Sequence, residues 1–268
     1  MRWFWLAQLK KDFLWAYSYK ISFFGQFFSI FIAVFTFFFV SETFLMSQSP
    51  HLERYGNNYF LFVIVGISTV DLIGACMKSA TRSIREAQAF GYIDIILNAK
   101  VSSQYFVLCS MIYPSCIGAI KFFMYLLMAT LFSDLDLSIL TLVYLIFLIL
   151  LTVAPFLGIG LFAASFVLAF KQGDPVSYLL SLGITLFSGV LFPTTVLPTV
   201  LQGVSGVIPT TYSLDLIRKV IIFDSVDFIS QQIVFYLMLS SVALLVLGIV
   251  LMKKTLAVVK LSGTSGRY

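Results

Sequence analysis

Apolar positions run along this chain in long blocks, broken by short polar stretches. The blocks show no strand-like alternation. A run of ~20 apolar residues is what a helix needs to cross a bilayer. The blocks predict six helical spans, at about 21–44, 59–77, 105–132, 137–170, 176–191 and 233–252. The uncharged block 137–170 would be roughly 51 Å long as one helix, too short for two full spans and a turn. It is read as one long span, kinked near Pro155, Gly158 and Gly160. The next uncharged block, 175–214, is long enough for two spans. Its second half, however, carries Pro193, Pro198, Gly203, Gly206 and Pro209, and a lipid-facing helix interrupted so often would leave backbone groups unpaired. The expectation is one span followed by a re-entrant hairpin.

The first twenty residues, MRWFWLAQLKKDFLWAYSYK, are too charged to span. As a helix they place Leu6, Leu9, Phe13, Ala16 and Tyr17 on one face and Gln8, Lys11, Asp12 and Ser18 on the other. Such a helix, rich in Trp and Tyr, suits a membrane interface. A cleavable signal peptide is the competing reading. The apolar run that follows is longer than a signal core and lacks a small-residue cleavage site. The expected organisation is an amphipathic interfacial helix, 1–20, and a single transmembrane domain, 21–268.

Composition narrows the class. The chain has 268 residues, 60% hydrophobic and 11% charged. A soluble domain carries ~45–50% apolar and ~25% charged residues. A cytosolic enzyme, a secreted domain and a disordered protein are all excluded, and no room is left for a soluble catalytic domain. The net charge of +5 is better read as topology than as nucleic-acid affinity. With the N-terminus inside, six spans leave Arg2, Lys10, Lys11, Lys20, Lys78, Arg82, Arg85, Lys100, Lys171, Lys253, Lys254, Lys260 and Arg267 in the cytosol. Only Arg54, Arg218 and Lys219 fall outside, and both termini are then cytoplasmic. Splitting 175–214 into two spans worsens that asymmetry. Cys76, Cys109 and Cys116 lie in or beside apolar stretches and suggest no disulfide framework. The single histidine, His51, offers no metal-ligand set.

Two stretches carry a family resemblance. SGVLFPTTVLPTVLQGVSGVIPTTYSLDLIRKVI, 188–221, resembles the signature region of ABC-2-type transporter permeases. The matching features are Ser188-Gly189, Phe192-Pro193, Leu197-Pro198, Ile208-Pro209 followed by Thr211-Tyr212, and Arg218 downstream. FGYIDIILNAKVSS, 90–103, resembles the family's cytoplasmic segment between spans 2 and 3, with Gly91 and Asp94 at the usual glycine and acidic positions. It departs at Lys100, where a proline often precedes the span. The resemblance implies the membrane subunit of an ATP-binding-cassette exporter in a prokaryotic inner membrane. Such a subunit pairs with a second permease, here expected to be a copy of itself, and rests on a separate ATPase subunit that binds ATP and Mg. The residues agree on one point: no Gly-Lys pair exists to end a phosphate-cradling loop. No catalytic residue, metal or cofactor is therefore expected on this chain. Amphipathic or lipid-linked cargo (glycan, lipid or hydrophobic drug) fits the abundance of phenylalanine.

Several residues are candidates for function. Arg82, Arg85 and Glu86, spaced three and four apart on a cytosolic helix, together with Asp94, are candidates for coupling to the ATPase. The plain alternative is a juxtamembrane basic segment. Lys10 and Lys11 of the first helix are candidates for a second contact. Asp71 and Lys121 lie deepest in apolar surroundings, at similar depth on neighbouring spans, and are expected to pair. They are either a polar feature of the cargo route or a structural ion pair. Phe192, Pro193, Pro198 and Pro209 are expected to build an outer gate or a rigid plug, with Asp215 and Arg218 paired at its rim. A secondary transporter or channel using Asp71 and Lys121 is the competing class, disfavoured by the lack of an internal repeat. A membrane enzyme would need a nucleophile or acid–base pair that the scattered carboxylates do not supply.

Overall fold

The computed structural model describes residues 3–44, 50–56, 58–133, 135, 137–170, 175–224 and 231–262. Arg2, Lys171 and Arg267, counted above as cytosolic, lie outside the described residues, as do Asp134 and Asp136 of the short acidic loop. The described residues form α-helices and short 3-10 turns, with no strand. The α-helices are α1 (Phe4–Ser18), α2 (Lys20–Phe44), α3 (Tyr59–Ala89), α4 (Ile93–Asn98), α5 (Ser103–Ala129), α6 (Ile139–Phe170), α7 (Pro175–Phe187), α8 (Thr199–Ser205), α9 (Pro209–Phe223) and α10 (Gln231–Ser262). Five of them, α2, α3, α5, α6 and α10, are long and apolar enough to cross a membrane.

Three expectations are corrected. The second block does not end at 77. Asn58 caps α3 by accepting from the Leu61 N–H, and the helix then runs 31 residues, about 46 Å, to Ala89. Arg82, Arg85 and Glu86 therefore ride on the end of a span and not on a separate helix. The segment beyond it is the short α4. The fifth block is also shorter than expected. Continuous helix in α7 covers only 13 residues, about 20 Å, less than the hydrocarbon thickness. Gly189, at φ +74°, turns the chain in a conformation glycine adopts without strain. The last helix is longer, reaching Ser262 instead of 252. The long 137–170 block does form one helix, uninterrupted through Pro155.

The prolines after α7 start helices as much as they break them. Pro198 precedes α8, and Pro209 is the first residue of α9, where a missing N–H costs nothing. Carbonyls left over between these pieces are met by side chains. Gln202 Nε2 donates to the Leu197 carbonyl at 2.8 Å, Tyr212 Oη to Gly206 at 2.9 Å, Thr211 Oγ1 to Ser205 at 2.8 Å and Tyr236 Oη to Val207 at 2.9 Å. Irregular backbone within a membrane protein is tolerated only when its polar groups are satisfied in this way.

α3 is the central helix; 78% of its most apolar stretch is buried. Glycines set the tightest crossings around it. A Cβ on Gly118 of α5 would lie 3.1 Å from the Leu72 Cα, and one on Gly66 would lie 2.4 Å from the Val190 carbonyl oxygen. α6 is squeezed between α10, at Gly158, and α5, at Gly160. α2 lies at the periphery. Phe38 packs on Phe60 and Phe132, while Phe24, Phe28 and Phe39 are exposed.

Candidate functional site

α1 presents its faces in an unexpected sense. Its polar side turns toward the protein: Gln8 is buried, and Asp12 is largely so. Its apolar side chains, Leu6, Phe13, Leu14 and Tyr17, point away. Phe4 holds the start of the helix against Tyr105 and Phe106 of α5. The result is a cavity of about 560 Å³ between α1, the start of α2, α3 and α5. Lys11, Asp12, Lys78, Arg82, Glu86 and Lys121 all reach it. Lys11 lies 3.2 Å from Asp12, and Arg82 pairs with Glu86 while its guanidinium sits over the Trp15 ring, 5.4 Å from the centroid. Burial pushes the Asp12 carboxyl above its ordinary range, with the Lys11 ammonium opposing it. Two of the proposed coupling residues, Arg82 and Glu86, and the Lys11 side chain thus line this cavity. Lys10, Arg85 and Asp94 are exposed outside it.

Lys121 links the cavity to the middle of the helix bundle. Its Nζ lies 3.4 Å from Oδ2 of Asp71, across the α3–α5 crossing that Gly118 makes close. Lys121 is nearly buried and Asp71 is partly open. Breaking one half of such a pair leaves the other charged and unmatched in apolar surroundings. D71N and K121M are therefore each expected to lose transport or stability. The double variant D71N/K121M recovers function if the pair is structural, and the double-mutant cycle then gives a coupling on the order of 1 kcal/mol. If the pair lines the cargo route, the double variant stays as inactive as the worse single one.

The opposite end of the molecule is organised by Arg218, only 2% exposed. The expected Asp215–Arg218 rim pair does not form. Asp215 instead accepts from Lys219 Nζ at 2.7 Å and from Tyr55 Oη at 2.9 Å. Arg218 turns inward. Its Nη1 donates to the Gly189 carbonyl at 2.8 Å and its Nη2 to Val190 at 3.0 Å. Nε and Nη2 both donate to Phe62, at 3.1 and 2.9 Å. The guanidinium also lies over the Phe62 ring, 3.4 Å from its centroid. A cation thus meets the carbonyls released where α7 stops, the end at which a helix dipole favours positive charge. Of the proposed gate residues, Pro193 and Pro209 are buried, Phe192 is half-buried and Pro198 is exposed. At the far end of α9, Asp224 accepts from Thr141 Oγ1 and the Ser138 N–H at the start of α6, which hold its carboxyl below the ordinary range.

The profile of the family described as ABC-2 type transporter matches residues 19–222. This chain belongs to the ABC-2 type transporter family. It is a multi-pass membrane protein and the permease subunit of an ABC transporter. Members of the family typically work with an ABC ATPase. Among curated proteins none matches the sequence.

Sequence reasoning did not bring Gln8, Lys78 and Trp15 together on one cavity wall. Gln8 was assigned to a polar face, and polar faces are ordinarily read as solvated. The signal that distinguishes this face is tryptophan and tyrosine at both ends of a helix too charged to span.

Proposed function

We propose that this permease is half of an ATP-driven exporter in a prokaryotic inner membrane. It has six crossings, the sixth completed by α7 and the 188–224 segment, and both termini are in the cytosol. The observation that carries the reading is the shape of α3. One helix runs from the Arg218 cluster through the membrane to the α4 elbow, where Phe90 and Ile95 stand exposed beside Arg85 and Asp94. Exposed apolar side chains beyond the end of a span fit a protein partner. The ATPase seats there and on α1 around Lys10. Its closure on ATP moves α3 as a rigid lever. A second copy of the permease covers the exposed valines of the re-entrant segment, Val196, Val200, Val204 and Val207, and the cargo route runs between the copies. The cargo is amphipathic or lipid-linked.

An ABC ATPase subunit found to co-purify with the permease provides the test. Co-purified and reconstituted together, the two chains are expected to give ATP-dependent transport. The charge reversals R85E and D94K are expected to lower transport at least tenfold, because like charges then face across the contact. Transport by the permease alone, driven by an ion gradient, would overturn the assignment.

A further inference from the structure

We propose that the cavity between α1, α3 and α5 binds the phosphate head of an amphiphile drawn from the leaflet on the α1 side. The proposal concerns binding by the permease chain itself and does not rest on ATP-driven transport.

The volume, about 560 Å³, lies within the ~300–1,000 Å³ typical of small-ligand sites. Charge sets the chemistry of the occupant. Four cations, Lys11, Lys78, Arg82 and Lys121, face two carboxylates, Asp12 and Glu86. Lys11 and Arg82 are spoken for by those two, and Lys121 by Asp71. Lys78 has no carboxylate partner among the described residues. One further group points to a ligand. The Gln8 side chain is 7% exposed, and its Nε2 has no hydrogen-bond partner. An amide donor buried without an acceptor loses its hydration and gains nothing back, so a position of this kind is normally matched by something. Gln8 sits on the cavity wall with Lys78, and an acceptor-rich anion answers both, with the paired cations Arg82 and Lys121 on the same wall. A phosphate does so with several oxygens at once.

The rest of the wall makes the occupant an amphiphile and not a bare ion. Trp15, Ala75, Pro114 and Ile117 supply an apolar flank. The outward face of α1, with Leu6, Phe13 and Tyr17, is itself greasy, so the helix that walls the cavity carries apolar surface on its other side. Basic pockets between membrane helices recognise anionic head groups in this way.

The chain has three tryptophans, all on or beside α1, and only Trp15 lines the cavity. In a W3F/W5F background Trp15 emission reports occupancy. The protein is held in dodecylmaltoside micelles and titrated with dibrominated phosphatidylglycerol, with dibrominated phosphatidylcholine as the arm of equal chain and no net charge. Saturable quenching is expected at a several-fold lower mole fraction of the anionic lipid. K78Q/R82Q is expected to shift its midpoint about tenfold or more, since each basic residue near a head group contributes about 1 kcal/mol. K253Q/K260Q, which removes two lysines of α10 near the same end, should leave the midpoint in place. Native mass spectrometry of the otherwise unaltered chain gives a second reading: retained phosphatidylglycerol that K78Q/R82Q loses. Equal quenching by the two lipids overturns the proposal, as does a midpoint indifferent to K78Q/R82Q. Millimolar inorganic phosphate that shifts Trp15 emission and displaces the lipid completely overturns the amphiphile in favour of a free anion.

Discussion

Replacing Arg218 by methionine is expected to cost on the order of 3 kcal/mol and to lower the unfolding midpoint in detergent by about 10 °C. The side chain is buried and donates four hydrogen bonds to three backbone carbonyls. Methionine matches its apolar stem but leaves Phe62, Gly189 and Val190 facing a low-dielectric interior with fewer donors. These carbonyls belong to two different elements, the start of α3 and the turn after α7. The loss therefore releases the re-entrant segment from the central helix. Lysine should not rescue. A single ammonium donates from one point, whereas the planar guanidinium reaches oxygens in three directions. Gly66 belongs to the same device. Its missing Cβ leaves the space through which Arg218 Nη2 arrives; a methyl there would lie 2.9 Å from that nitrogen and 2.4 Å from the Val190 oxygen. G66A is thus expected to reproduce part of the R218M defect. D215N keeps an amide oxygen to accept from Tyr55 and weakens the partly buried pair with Lys219, so it should cost about 1 kcal/mol or less. Thermal unfolding followed by size-exclusion fluorescence ranks these variants. R218K at the wild-type midpoint would mean that the carbonyls do not need the fork.

The Arg218 cluster also shows where reading the chain succeeds and where it stops. Proline and glycine density located the break in the 175–214 block, because interrupted hydrogen bonding in lipid is a local property of the residues. The partner of Arg218 was not local. Spacing of three placed Asp215 beside it, yet the side chain turned to carbonyls of residues far away in sequence, which carry no sequence signature at all. Asp71 and Lys121 are the opposite case. Their depths follow from counting along two adjacent spans, and their side chains do meet. α1 lies between these cases. Its two faces were visible in the residue pattern, but which face the protein takes depends on whether lipid or water lies outside. A membrane inverts the usual answer and hides the polar residues. The end of α3 was obscured for a related reason. Its polar residues after Met77 suggest a separate cytosolic helix, while burial of Ala80, Ile84 and Ala87 on one side carries α3 on without a break.

The second large effect is expected at the α6–α10 crossing, where Gly158 faces Leu244 and Gly248. A Cβ on Gly158 would lie 2.3 Å from the carbonyl carbon and oxygen of Leu244 and 2.4 Å from the Leu245 nitrogen. From the other helix, a Cβ on Gly248 would lie 2.4 Å from the Gly158 oxygen. All the close atoms but one are backbone, which cannot swing aside as a side chain can. In lipid, helices gain little from hiding apolar surface, so close packing is what holds such a pair together. G158A must push α10 outward, and G158L must push it off. Overpacking a tight core costs about 1–3 kcal/mol, and leucine here should exceed that range. Beyond this crossing α10 is held by a few buried side chains, Leu237, Met252, Leu256 and Val259, while most of its spanning stretch faces outward. The expected readout is release of the C-terminal helix, seen as faster tryptic cleavage at Lys253 and Lys254 in micelles and loss of the monodisperse peak. G183A is the matched control. Gly183 lies inside α7 with no atom near its would-be Cβ, so the methyl meets open space and removes a backbone-entropy cost of up to ~1 kcal/mol. It should leave the protein unchanged or slightly more stable. If G158L and G183A behave alike, the two helices do not touch through their glycines, and α10 is held by other contacts.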